Sequence, residues 1–191
     1  MTPLGLSRLY IRLRTRAFTI MCRQSFAAIG KKSALVPPLR VQGEDRIEIG
    51  ADVYIGANSW IQAFAEHASH AESILTIGDN VCMSGSDTIT AAERVVIEPR
   101  VLIAKFVHIS DHSHAYEDSS RAIKDQGITF PKPVRIETGA WLGQGVVVCP
   151  GVTIGRNAVI GANSVVTRDI PAYCIAVGAP ARVVKASPQS I

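Results

Sequence analysis

Two histidines in a polar stretch, His112 and His114 within Ile109-Ser110-Asp111-His112-Ser113-His114, are the side chains best placed to move a proton. Imidazole has a reference pKa near 6.5, and a positioned one contributes about 10²–10⁴-fold as a general base. His108 lies just before them, while His67 and His70 fall in an earlier irregular stretch. A second group is cationic: Arg168, Arg182 and Lys185 gather near the C-terminal end. A guanidinium grips phosphate through its planar fork and an ammonium by point charge, although each could equally be a solvated surface cation. The four cysteines, Cys22, Cys82, Cys149 and Cys174, are scattered without metal-ligand spacing. They read as small buried side chains in a reducing compartment, and no metal site is expected. Cys149 invites a nucleophile reading, but nothing in the sequence activates its thiol.

These residues must be positioned by a repeat. From Ile136 an aliphatic side chain returns every six residues, at Leu142, Val148, Ile154, Ile160 and Val166. The same beat runs through Ile49, Ile55 and Ile61, then Ile77, Met83 and Ile89, then Ile97, Ile103 and Ile109. A period of six suits neither an amphipathic helix nor a hairpin sheet. It suits a short strand and a corner, repeated. Three hexads close one triangular coil, and these beats predict about five stacked coils of an all-β solenoid. Gly143, Gly155, Gly161, Asn157 and Asn163 are expected at corners, where positive φ is cheap for Gly and Asn.

The beat is interrupted at residues 62–73, by a slip between Ile89 and Ile97, and by the long polar stretch 112–133. A long excursion from a regular solenoid is usually functional. Before the repeat, residues 4–30 read as an amphipathic helix. Leu6, Leu9, Tyr10, Leu13, Ala17, Ile20 and Met21 share one stripe, and Arg8, Arg12, Arg16 and Arg23 the opposite side. Such a helix either caps the first coil or a neighbouring subunit, or lies on an anionic membrane surface. The expected organisation is a helical segment over 1–38, a solenoid over 39–186 with an excursion loop at 112–133, and a tail at 187–191.

The chain has 191 residues, enough for one full core; 47% are apolar but only 6% aromatic, which favours β-branched packing. The formal charge of +4 is concentrated in the arginines and lysines of the first stretch, so no nucleic-acid partner is expected. No apolar run reaches spanning length, and a cytoplasmic location is the default expectation.

The stretch GAWLGQGVVVCPGVTIGRNAVIGANSVVTRDIPAYCIAVGAPARVVK strongly resembles hexapeptide-repeat acetyltransferases, and with the upstream repeats the resemblance covers roughly residues 40–186. The Asp-His-Ser-His run is similar to the signature of the surface-polysaccharide O-acetyltransferases. The resemblance implies a left-handed parallel β-helix, a homotrimer with active sites between subunits, and acetyl-coenzyme A as acyl donor. A saccharide hydroxyl would be the acceptor. It implies His112 as general base, with His114 two residues on as the other candidate or as an acceptor contact, and Tyr116 on the same loop. The backbone N–H of Gln144, after Trp141, would be the oxyanion donor, and Trp141 would wall the thioester end. Ala162 would line the pantetheine arm, with Thr167, Arg168, Arg182 and Lys185 near the phosphates. The relatives' acceptor asparagine is replaced here by Ser84-Gly85-Ser86-Asp87, where Ser86 or Asp87 would substitute. Rival readings are an amino-sugar or antibiotic acceptor, a silent assembly solenoid, and a zinc hydratase of the γ-carbonic-anhydrase type. The last needs three converging histidines, and His67, His70, His108, His112 and His114 lack its spacing.

Overall fold

The computed structural model describes residues 2–64 and 73–186. Residues 65–72, which hold His67 and His70 and most of the first interruption, and the expected tail 187–191 lie outside the described residues.

One helix, α1 (Pro3–Cys22), precedes a stack of very short strands. The strands form three sheets of six, eight and six members, parallel except for the closing hairpin of Cys174–Val177 with Arg182–Ala186. Each six-residue beat supplies one strand, and its aliphatic residue points inward. Ile29, Ile49, Ile77, Ile97, Ile136 and Ile154 pair in register up the first sheet. Leu35, Ile55, Met83, Ile103, Leu142, Ile160 and Ala176 do so up the second. Val41, Ile61, Ile89, Ile109, Val148 and Val166 form the third column. Almost all are fully buried, each fully buried Val, Leu, Ile or Met stabilising the fold by about 1.5–3 kcal/mol.

The solenoid is six coils deep, one more than the beats from Ile49 predict. The extra coil is Ala28–Ile29, Ala34–Leu35 and Arg40–Gln42, so the solenoid begins inside the segment assigned to the helical part. Its beat, Ile29, Leu35 and Val41, is present in the sequence but is separated from Ile49 by a slip at Gly43 and the 3-10 turn Glu44–Arg46.

The corners divide labour differently from expectation. Asn157 and Asn163 do take positive φ, 51° and 58°. The glycines after the beats serve close approach instead: a Cβ on Gly143 would lie 2.7 Å from the Ala162 nitrogen, and one on Gly161 2.7 Å from Val177 Cγ1. Neighbouring coils meet through backbone at Gly143 and through the Val177 side chain at Gly161, which leaves no room for a Cβ.

Every interruption of the beat falls at one place. Gly43–Arg46, the stretch after Ala63, Ala92–Arg94 and the excursion after Ser110 all join a third-sheet strand to the next first-sheet strand. The insertions therefore emerge along a single edge of the prism.

Helix α1 also departs from its pattern. Thr2 caps it, its Oγ1 accepting from the Gly5 N–H at 3.1 Å, and Pro3 occupies the first turn. It ends at Cys22, short of residue 30. The face on the solenoid is Thr15, Phe18, Thr19 and Cys22, with Thr19 Oγ1 accepting from the Leu35 N–H at 2.9 Å and donating to the Thr15 carbonyl. Leu6, Leu9, Tyr10, Leu13, Ile20 and Met21 are exposed. The helix does cover the first coil, but with its threonine stripe.

Candidate active site

His112 begins the excursion at the insertion edge, and its ring is only 10% exposed. Its Nδ1 lies 2.7 Å from Oδ1 of Asp111, a fully buried carboxylate. Asp111 in turn accepts from three backbone N–H groups of the insertion one coil away, those of Ala92, Glu93 and Arg94, at 2.8–3.0 Å. Burial pushes the Asp111 carboxyl up, but hydrogen bonds from His112 and these N–H groups outweigh it and hold the pKa below the ordinary value. Asp111 is thus ionised at neutral pH and acceptor-only. Nδ1 must carry the proton, leaving the Nε2 lone pair to take one. The Phe64 ring meets the imidazole edge-on at 5.2 Å, so three successive insertions hold this one histidine.

The excursion is a tied arm. Lys132 N–H donates to the Asp111 carbonyl at its base, Thr129 N–H to the Ser113 carbonyl, and Ala115 N–H to the Gly127 carbonyl. His114, bridged to Ile128, and Tyr116 are exposed on it, next to exposed Ile123 and Phe130. His108 is half-buried on the outer face of the third sheet; burial, then the neighbouring His112, lowers its pKa.

The remaining candidates are spread over several faces. Trp141 is exposed on the second sheet and Gln144 on the corner that follows. The Gln144 carbonyl accepts from Asn163 N–H at 2.7 Å, whereas its own N–H makes no hydrogen bond among the described residues. Ala162 is exposed one coil on, where Gly143 lets the backbones close up. Thr167 and Arg168 are exposed on the His112 edge two coils further, roughly 10 Å along the axis at ordinary strand spacing. Arg182 and Lys185 are exposed on the terminal strand Arg182–Ala186. No contact among the described residues joins His112 to Trp141 or Gln144.

Two sequence readings need correction or addition. Asp87 is 1% exposed and cannot meet an acceptor: its oxygens accept from the Gly85 and Val107 N–H groups and pin successive corners. Ser86, half-buried at φ 58°, is the residue of that pair nearer solvent. Asp111 was missed, because its partners come from a coil distant in sequence. Burial raises the Cys149 thiol, so it stays protonated. Among the described residues no three His, Cys, Asp or Glu side chains converge as metal ligands.

Burial pushes Asp87 up to about 6, against hydrogen bonds from Val107 and Gly85 and the charge of Lys105. The stabilisation from protonating it is complete below about 4 and is lost as pH rises through about 6. His108, with a lowered pKa, pulls the other way over the same range, so the measurement is a comparison with Asp87→Asn. Between pH 7 and pH 5 the unfolding free energy of the wild type should gain on that of the variant by about 1 kcal/mol. An unchanged difference in urea titrations at the two pH values would contradict this.

Comparison with known proteins bears on the same coils. The bacterial transferase hexapeptide (six repeats) profile matches residues 133–168. A putative lipopolysaccharide biosynthesis O-acetyl transferase, WbbJ of Escherichia coli, is 31% identical over 78% of this chain and 76% of its own length. The chain belongs to the hexapeptide-repeat transferase family. Another relative, the probable acetyltransferase Rv3034c of Mycobacterium tuberculosis, is 41% identical over 73% of this chain. The alignment spans 44% of that protein's length. Among solved structures, a galactoside acetyltransferase in complex with coenzyme A superposes with a TM-score of 0.61 at 28% identity, covering 99% of this chain and 84% of that one. The matched repeats are the strands of the fifth and sixth coils, which follow the arm. Among the described residues, none of its helices is long and apolar enough to cross a membrane.

Proposed function

We propose that the chain transfers an acetyl group from acetyl-coenzyme A to a hydroxyl of a saccharide, by direct attack. The observation that carries this is the buried pair of Asp111 and His112, which leaves Nε2 as the free base. The relatives named for lipopolysaccharide and galactoside acetylation support the sugar class.

Acetyl-coenzyme A would supply the activated carbonyl. His112 Nε2 takes the proton of the acceptor hydroxyl as its oxygen attacks, and returns it to the departing thiolate. The unpaired Gln144 N–H meets the charge developing on the carbonyl oxygen, a contribution of about 2.7–4 kcal/mol for such donors. Trp141 walls the thioester end and Ala162 the pantetheine arm. Thr167, Arg168, Arg182 and Lys185 face the phosphates. His114, Tyr116 and Ser86 form acceptor contacts. Transfer from labelled acetyl-coenzyme A to a panel of free, lipid-linked and amino sugars tests the reading; labelling of amino groups alone would replace the hydroxyl acceptor.

The separation of His112 from Gln144 within one chain argues for sites shared between subunits of a homotrimer, wound left-handed as the family resemblance implies. Exposed Phe130 and Ile123 on the arm, with Leu102 and Trp141 on the second sheet, are apolar surface that such packing would cover. Sedimentation equilibrium should give a mass about three times 20.5 kDa. An active monomer would exclude the shared site. Arg182→Ala should raise the KM for acetyl-coenzyme A by about tenfold while leaving that for acceptor unchanged, because a charged phosphate contact is lost. Equal effects on both constants would point to general destabilisation. The enzyme is read as cytoplasmic, with the helical part of residues 4–30 touching the inner face of the membrane.

A further inference from the structure

A groove of about 760 Å³ runs between α1 and the second sheet, over the first two coils. It lies at the opposite end of the solenoid from Trp141, Arg182 and Lys185. One wall is the arginine flank of the helix, Arg8, Arg12, Arg16 and Arg23, and Lys32 stands at the facing corner. Apolar side chains line it from both elements, Ile11 and Ile20 from the helix and Val36 and Tyr54 from the solenoid. No acidic side chain lines it among the described residues, and Arg8, Arg12, Arg16 and Lys32 have no carboxylate partner there. Arg23 is occupied at the closed end, donating to the Ile29 and Gly30 carbonyls. Thr15 also lines the groove; it is 8% exposed, and its hydroxyl has no partner among the described residues.

Cations that converge without acids call for an anion. The apolar lining calls for an occupant that is not a bare ion. The outward stripe of α1, Leu6, Leu9, Tyr10, Leu13 and Met21, is exposed on the side of the helix turned away from the solenoid. A helix with this arrangement presents apolar side chains at one depth and guanidinium groups at the next, which matches acyl chains beneath phosphates.

We infer that the groove under α1 binds the phosphate of an acidic membrane phospholipid, while the outward apolar stripe enters the lipid surface. The groove sets the orientation. Arg8, Arg12, Arg16 and Lys32 hold the phosphate, and the Thr15 hydroxyl, turning about Cα–Cβ, bonds one of its oxygens. The inference rests on the membrane contact of residues 4–30 and not on acetyl transfer.

Flotation of the full chain with phosphatidylglycerol or phosphatidylcholine vesicles tests it, at low and at roughly 0.5 M salt. Binding to phosphatidylglycerol vesicles should exceed binding to phosphatidylcholine vesicles by about tenfold or more, and high salt should abolish the difference. Arg12→Gln/Arg16→Gln should remove the preference, and Leu9→Glu/Leu13→Glu should remove binding altogether. Thr15→Val, which conserves volume, should weaken the preference without altering sedimentation or coenzyme A binding. Equal binding to both vesicles would retain the membrane contact but overturn the phosphate groove. Absence of binding to either would overturn both. Competition by millimolar inorganic phosphate, with no vesicle binding, would make it a free-anion site. Dissociation of the oligomer by Leu9→Glu/Leu13→Glu would make the stripe a subunit interface and overturn the proposal.

Discussion

Turnover of a His112→Ala protein is expected to fall by about 10²-fold or more, with acetyl-coenzyme A affinity largely retained. The separation follows from geometry. His112 lies at the base of the arm, held by Asp111 and Phe64, while the proposed coenzyme contacts are on the later coils and the terminal hairpin. Removing the imidazole would take away the proposed proton acceptor and leave the proposed coenzyme contacts untouched. His114→Ala should be milder and should chiefly raise the acceptor KM, because His114 is exposed and paired to the arm only through backbone. In the wild type the rate should climb with pH along one limb, since only neutral imidazole accepts a proton, and that limb should vanish in His112→Ala. Steady-state kinetics on the same preparation decides it. Normal turnover in His112→Ala with loss in His114→Ala would move the base along the arm, and activity in both would end the mechanism.

The inward columns were legible because each beat carries its own packing instruction. Ile136, Leu142 and Val148 announce their strands locally, and the register that stacks them on Ile97, Ile103 and Ile109 follows from identical spacing. The first coil was harder to see, since Val41 is only half-buried and the phase shifts before Ile49. Helix α1 misled for a physical reason. Its apolar stripe is genuine, but the corner of the first coil offers the unpaired Leu35 N–H, and Thr19 satisfies it. A buried donor without a partner costs about 1–3 kcal/mol, enough to compete with burying one leucine. The polar face therefore turns in. At the site, His112 was visible from its type and its place at the loop entrance. What fixes it was not, because Asp111, the Ala92–Arg94 turn and Phe64 meet only after the coils have stacked. Asp87 shows the converse: a polar residue near the expected acceptor contact proves to be a buried staple between corners.

Asp111→Asn should cost activity nearly as heavily as loss of the base, by about 10²-fold or more, and about 1–3 kcal/mol of stability only where the backbone turn loses its acceptor. The carboxylate serves four N–H donors at once: Ala92, Glu93 and Arg94 on one side and His112 Nδ1 on the other. An amide has only one acceptor oxygen. If that oxygen stays with the backbone, the amide NH₂ faces Nδ1, which must then accept, and Nε2 becomes protonated and useless as a base. If it turns to the histidine, the NH₂ opposes backbone donors and the turn loosens. The first outcome leaves thermal stability nearly intact and abolishes turnover; the second lowers both. The pH profile separates a positioning role from simple destabilisation. With the tautomer no longer held, the residual rate should lose the single histidine limb, even when measured well below the melting temperature. A protein that folds less stably but keeps the wild-type limb and turnover would show that Asp111 only anchors the turn.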